Sequence, residues 1–240
     1  MPAILLTRPA DVARQFAAQL RTRLGAVDIV ISPLLEITWA SGLPGDIIGT
    51  PIFTSRNGVA GYVKAGGTAS GLCWCVGDAT ANAARAAGFA PRASSGNAQT
   101  LIAAILKSGE PGPFVHLRGA YTRGEVAKRL TQSGRSTQEV IVYDQKPRDL
   151  TADAHRRLKS EKPVVLPLFS PRTAAQFAKV HRGRAQIFAG VMSEAVAAAV
   201  TDLPLAKLSV ADRPDASAML DVTQKLFREA LRLEGGRGAK

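Results

Sequence analysis

One short phrase occurs twice in this chain, and it limits the fold more than any other feature. Pro51 opens PIFTSRNGVAGYV and Pro167 opens PLFSPRTAAQFAKV. In each, an apolar run reaches Phe, then a hydroxyl residue and an Arg, before an alanine-rich stretch of helical period. The echo extends in both directions. Ser55 and Gly77 lie 22 residues apart, as do Ser170 and Met192, where VGDATANAA faces VMSEAVAAA. GNAQTLIAAIL from Gly96 answers PDASAMLDVTQKL from Pro214, and ILLTRPADVARQF from Ile4 answers FVHLRGAYTRGEV from Phe114. The offset drifts only from 109 (Gly25 to Gly134) to 118 (Gly96 to Pro214). Ordered matches at a near-constant offset indicate an internal duplication.

Each half alternates apolar strand with amphipathic helix, the pattern of α/β architecture with mostly parallel sheets. Strands are expected at 3–7, 27–32, 51–54, 72–76, 113–117, 138–144, 163–169, 185–190 and 207–210. Two segments, DIVISPLLEITW from Asp28 and EVIVYDQKPRDL from Glu139, are equivalent in the two halves. Taken as crossover strands, they divide the chain into a first α/β domain of 1–37 with 148–235 and a second of 38–147. One intact domain per half is the simpler alternative, and pattern alone does not decide between them. Residues 236–240 are expected to be a disordered tail.

Composition narrows the function. With 46% hydrophobic and 21% charged residues the chain can bury a core, and no apolar run reaches the length of a membrane span. The N-terminal residues have no positive leader or cleavage site, so no signal peptide is expected. Cys73 and Cys75 read as buried thiols of a reducing cytosol rather than metal ligands. The net charge of +12 calls for an anionic partner. Nucleic acid is one candidate, but the cations are scattered, aromatics make up only 5%, and no recognition motif accompanies them. P-loop, GxGxxG and GxSxG signatures are absent, and His116, His155 and His181 have no ligand spacing.

Taken in order, LLTRP (Leu5–Pro9), FTSRNGV (Phe53–Val59), CVGDATA (Cys75–Ala81), GNAQTL (Gly96–Leu101), LRG (Leu117–Gly119), VIVYDQ (Val140–Gln145) and FSPRTAAQF (Phe169–Phe177) resemble the uroporphyrinogen-III synthase family across nearly the whole chain. The resemblance implies two flavodoxin-like parallel-sheet domains joined by a two-stranded β linker, with an active-site cleft between them. It implies cyclisation of hydroxymethylbilane with inversion of the last pyrrole ring and loss of water. No metal, nucleotide or organic cofactor is expected. The implied partners are this polycarboxylate substrate and, transiently, the preceding enzyme of the pathway, with no nucleic acid and no membrane. Nothing in the sequence demands more than a monomer, and the implied location is the cytoplasm.

By the same resemblance Tyr143 faces the cleft, where a phenol, protonated at neutral pH, can donate to the departing hydroxyl. Arg8, Arg56, Arg118 and Arg172 fall at or just after strand ends, where ligands of open α/β sheets bind, and suit a substrate rich in carboxylates. Thr54, Ser55, Thr80, Gly119 and Ser170 are assigned to the same lining. Without the resemblance, Ser55, Thr80 and Ser170 read as helix N-caps. The last strand–helix junction departs from the family pattern, GVMSEAVA offering Ser193 where a Thr is usual. A silent two-domain binding protein for an anionic small molecule is the alternative reading.

Overall fold

The computed structural model describes residues 1–45, 47–121 and 124–237. The chain runs β1 (Ala3–Leu6), α1 (Ala10–Leu24), β2 (Asp28–Ile31), β3 (Leu35–Trp39), β4 (Thr50–Phe53), α2 (Arg56–Lys64), β5 (Leu72–Val76), α3 (Gly77–Ala87), β6 (Ala90–Ser94) and α4 (Ala98–Lys107). It continues through β7 (Phe114–Gly119), α5 (Val126–Gln132), β8 (Thr137–Pro147), α6 (Ala152–Lys159), β9 (Val164–Leu168), α7 (Pro171–Val180), β10 (Ile187–Val191), α8 (Glu194–Ala197), β11 (Leu205–Val210) and α9 (Ala216–Arg237).

These elements form two compact units. Met1–Glu36 and the chain from Pro147 onward build the first, and Ile37–Lys146 the second. The first holds a parallel sheet ordered β2-β1-β9-β10-β11. Counted within the unit this is 2-1-3-4-5, the flavodoxin order, whose direction reverses between β1 and β9. The second holds β8-β7-β4-β5-β6, also parallel, with β3 added beside β8. Starting the count at β7 yields the same 2-1-3-4-5, reversing between β7 and β4. Each unit therefore takes the opening strands of one repeat and the closing strands of the other.

Burial explains the strands. Those of a parallel sheet covered on both faces read as continuous apolar runs, and every residue of β1, β9 and β10 is buried. Alternate residues go to opposite layers. Ile4 and Leu6 pack with Phe16, Leu20, Leu226 and Phe227 of α1 and α9, while Leu5 packs with Leu158 and Phe177 of α6 and α7. In the second unit Phe53, Val115 and Leu117 face α2 and α3, and Ile52 and Phe114 face α4 and α5. Helix α2 lies unusually close to its sheet because it contacts it through glycines. A Cβ on Gly58 would stand 2.6 Å from the Leu117 carbonyl oxygen, and one on Gly61 2.6 Å from that of Val142.

Three expectations need correction. The segment from Asp28 is not one crossover strand; Ser32-Pro33 separates β2 from β3, because proline has no N–H to continue a ladder. Strand β6, APRAS, was not anticipated: as an edge strand it buries only Ser94 and has no apolar run. The tail is helical through Arg237, extending α9 beyond the expected end. Glu234, one turn earlier, takes the Met1 ammonium at 2.7 Å, holding the last turns against the first strand. Residues 238–240 of the expected tail lie outside the described residues. Strands β3 and β8 form a two-stranded ribbon. Ala40 N–H donates to Val142 O and Arg148 N–H to Leu34 O, an antiparallel register.

Candidate functional site

In open α/β sheets the space beyond the carboxyl ends of the strands, at the point where strand order reverses, is where ligands bind. In the second unit that point lies between β4 and β7. A pocket of about 380 Å³ opens there, lined by Thr54 and Ser55 after β4, Val76 at the end of β5, Asn97 at the start of α4, and Gly119 and Tyr143 of β7 and β8. Its described lining contains no charged side chain. A larger hollow of about 510 Å³ beside α5 carries Glu125, Lys128 and Glu139 but none of the expected site residues.

The pocket is built around one hydrogen bond. Ser55 caps α2, its Oγ accepting from Gly58 N–H at 3.1 Å. The same Oγ lies 3.0 Å from the phenol oxygen of Tyr143. Reaching Ser55 from β8 requires the tyrosine to cross the intervening strand β7, and two features permit it. The register between β7 and β8 slips after Arg118, so that Gly119 pairs with Tyr143 and Val142 becomes the extra residue. Such a slip re-aims the side chain that follows it: Val142 and Tyr143 both turn into the layer beneath α2 and α3. Gly119 then leaves room for the ring, since a Cβ there would lie 2.6 Å from Tyr143 Cζ.

Thr54, Ser55, Gly119 and Tyr143 are thus brought together, and other expected residues take other places. Arg56 is exposed in the first turn of α2. Arg118 turns its guanidinium onto Glu139 (2.8 Å) and the Gly119 carbonyl (2.9 Å), bracing the strand end. Thr80 is not a cap. Helix α3 begins at Gly77 directly after β5, which leaves Thr80 buried within its first turns. In the first unit Arg8 follows β1 with its guanidinium 3.9 Å over the Phe169 ring. Ser170 caps α7, accepting from Thr173 N–H at 3.2 Å, and Arg172 follows in the first turn. Ser193 begins α8 without a side-chain cap bond. Among the described residues no cluster of His, Cys, Asp and Glu suits a metal ion.

Two contributors escaped sequence reasoning. Asn97 caps α4, accepting from Gln99 and Thr100 N–H; an Asn before an apolar helical stretch is the signal that would have found it. His116, which has no ligand spacing in the sequence, is fully buried on β7, with Nε2 3.2 Å from Thr54 Oγ1 and Nδ1 3.7 Å from Glu139. Burial pushes its imidazole down to about 4 from the ordinary 6.5; Glu139 opposes the shift and Arg118 reinforces it. His116 is therefore neutral at pH 7. Because its folded-state value is depressed, the stabilisation is complete above pH 6.5 and fades as pH falls towards 4. Between pH 7.5 and 5 the fold should lose roughly 2 kcal/mol through this group. Urea unfolding at the two pH values checks this, and His116→Leu should shrink the difference by about that amount.

Two doubly wound α/β units, one with a neutral, hydroxyl-rich pocket at its switch point, define a small-molecule-binding protein of the flavodoxin-like class. The comparisons carry this further. The family described as "Uroporphyrinogen-III synthase HemD" matches residues 14–221, and the chain belongs to the uroporphyrinogen-III synthase family. The solved structure of uroporphyrinogen-III synthetase from Helicobacter pylori is similar at TM-score 0.60 and 16% identity, covering 94% of this chain and 100% of its own. A mutant uroporphyrinogen III synthase from Thermus thermophilus aligns at TM-score 0.49 and 12% identity, covering 97% and 99%. No curated protein sequence is significantly similar. The function that follows from the family is cyclisation of hydroxymethylbilane to uroporphyrinogen III, a lyase reaction of tetrapyrrole biosynthesis.

Proposed function

We propose that the chain catalyses this cyclisation without a cofactor, as a hydro-lyase, with Tyr143 as the hydrogen-bond donor to the departing hydroxyl. The observation that carries the reading is the 3.0 Å contact between Tyr143 and Ser55 at the mouth of the pocket. Ser55 Oγ already accepts the Gly58 N–H, so its own proton is available to the phenol oxygen. The chain Gly58 N–H to Ser55 to Tyr143 then leaves the phenol proton pointing onward, and each bond strengthens the next.

The chemistry follows from that proton. Hydrogen-bonded by Tyr143, the terminal hydroxyl leaves as water, and the pyrrole nitrogen lone pair stabilises the resulting azafulvene cation. The cation attacks the substituted carbon of the last ring to give a spiro intermediate, which fragments and recloses with that ring inverted. A proton lost from the reclosed pyrrole carbon balances the one taken up by the leaving hydroxyl. Folding the chain so that this attack outruns direct closure is a matter of positioning, which suits a pocket of hydroxyls and amides without a strong acid or base. A volume of about 380 Å³ suits the reacting end of the tetrapyrrole. The N-terminus of α2 presents positive partial charge to substrate carboxylates. Arg8, Arg56, Arg172, Ser170 and Ser193 we assign to the remaining side-chain carboxylates, while Arg118 and Thr80 are held within the fold.

No helix among the described residues is long and apolar enough to cross a membrane, and Cys73 and Cys75 are unbridged. Unbridged thiols fit a reducing compartment, and our proposal is a cytoplasmic monomer acting on a diffusible substrate. The test is the isomer outcome. Freshly prepared hydroxymethylbilane, incubated with the purified protein and no added cofactor, should yield predominantly type III porphyrin after oxidation and chromatography. Type I product at the protein-free rate would reduce the protein to a binding role.

A further inference from the structure

His116 occupies a position that packing alone does not explain. It lies wholly buried between β4 and β8, on the sheet face covered by α4 and α5, where its cross-strand neighbour Ile52 packs with Leu101, Ile105 and Leu130. An imidazole there carries two polar nitrogens into an apolar layer. One is satisfied: Nε2 meets Thr54 Oγ1 at 3.2 Å. The other, Nδ1, has no hydrogen-bond partner and faces Glu139 Oε1 at 3.7 Å. Glu139 is in turn held by Arg118 through its other oxygen at 2.8 Å. Glu139 on β8 and Arg118 on β7 are the charged groups bearing on the ring, and β4 presents the neutral Thr54.

We propose that His116 is a positioning residue that makes Thr54 a hydrogen-bond acceptor toward the substrate, and that Thr54 thereby recognises a pyrrole N–H of the linear tetrapyrrole. Glu139, ion-paired with Arg118, is a carboxylate and only accepts hydrogen bonds. The ring nitrogen facing it carries the proton, because a lone pair in that place would be repelled. With Nδ1 protonated, the neutral ring has its lone pair at Nε2. That lone pair takes the single proton of the Thr54 hydroxyl. Thr54 has no second proton to offer, so what it turns toward the pocket is lone-pair density.

For Thr54 this is the reverse of what a hydroxyl does toward a carboxylate, which is to donate. Oriented as an acceptor it disfavours carboxylates and favours N–H donors, which each pyrrole ring of the substrate supplies. The inference rests on the proposed function for the identity of the donor, but the hydrogen-bond assignment stands on the geometry alone.

The two parts are tested separately. Nitrogen-15 spectra of the labelled protein at pH 7, with the His116 signals assigned by difference from His116→Leu, should show a neutral ring protonated at Nδ1. An Nε2–H or doubly protonated ring overturns the proposal whatever the kinetics. In steady-state assays Thr54→Val should raise KM about fivefold with kcat retained, the signature of a neutral hydrogen bond made equally in ground and transition states. His116→Leu should do the same, and the double variant should be no worse than Thr54→Val alone. His116→Gln, whose amide oxygen reaches the Nε2 position, should restore KM. Additive losses, or a Gln variant as impaired as Leu, would make His116 merely structural and overturn the positioning role. If His116→Leu does not fold, the Gln variant supplies the difference spectrum and, with Thr54→Val, decides the kinetics. A wild-type protein that forms no type III product overturns the pyrrole assignment together with the proposed function, while the spectra still decide the Thr54 hydrogen bond.

Discussion

Tyr143→Phe should lower turnover about a hundredfold, the lower range for loss of a positioned proton donor, while KM changes little. The phenol oxygen is the only atom removed, and the ring keeps its place beneath α2 and over Gly119. Ser55 still accepts the Gly58 N–H, so the cap survives and stability should fall by no more than about 1 kcal/mol. The measurement is single-turnover consumption of hydroxymethylbilane alongside the isomer ratio. If the type III fraction holds while the rate falls, the donor acts in water loss and not in folding the substrate. Unchanged turnover would remove Tyr143 from the chemistry.

Gly119→Ala should be nearly as damaging, by a different route. The new methyl would sit 2.6 Å from Tyr143 Cζ and 2.8 Å from its Cε2, closer than real contacts allow. The neighbouring Phe53, Val59 and Val140 are fully or almost fully buried, so the ring cannot sink further into the layer and must swing outward, away from Ser55. Turnover should fall at least tenfold with only a modest loss of stability, because what moves is the far end of one side chain. Combined with Tyr143→Phe, the alanine should add little to the loss, since both remove the same hydrogen bond. Losses that multiply would mean that Gly119 matters for some other reason, such as direct approach of the substrate backbone.

Much of the architecture was legible from residues because parallel strands buried on both faces must be apolar throughout. VVLPL and IFAGV announce β9 and β10 for that reason, and the alternating helices follow from their alanine-rich periodicity. Legibility failed where burial is partial. APRAS carries its strand through backbone pairing with β5 while exposing most of its side chains, and so leaves no hydrophobic signature. Thr80 shows a related failure: its spacing from a strand suggested a cap, but Gly77 let the helix begin earlier. The pocket was legible in part. Thr54, Ser55 and Gly119 stand at strand ends, which chain order reveals, whereas His116 touches Thr54 across 62 residues of sequence, a pairing invisible without the sheet.

The duplication, the α/β class and the hydroxyl and arginine residues at strand ends can be read from the chain, because they depend on short-range pattern and periodicity. Tertiary structure alone decided which of them work together. Tyr143 faces Ser55 only because the register of β7 against β8 slips by one residue and because β7 supplies a glycine at the crossing. Register is a property of a strand pair, set by packing on both faces. A one-residue shift turns a side chain to the opposite layer without changing a single letter of the chain.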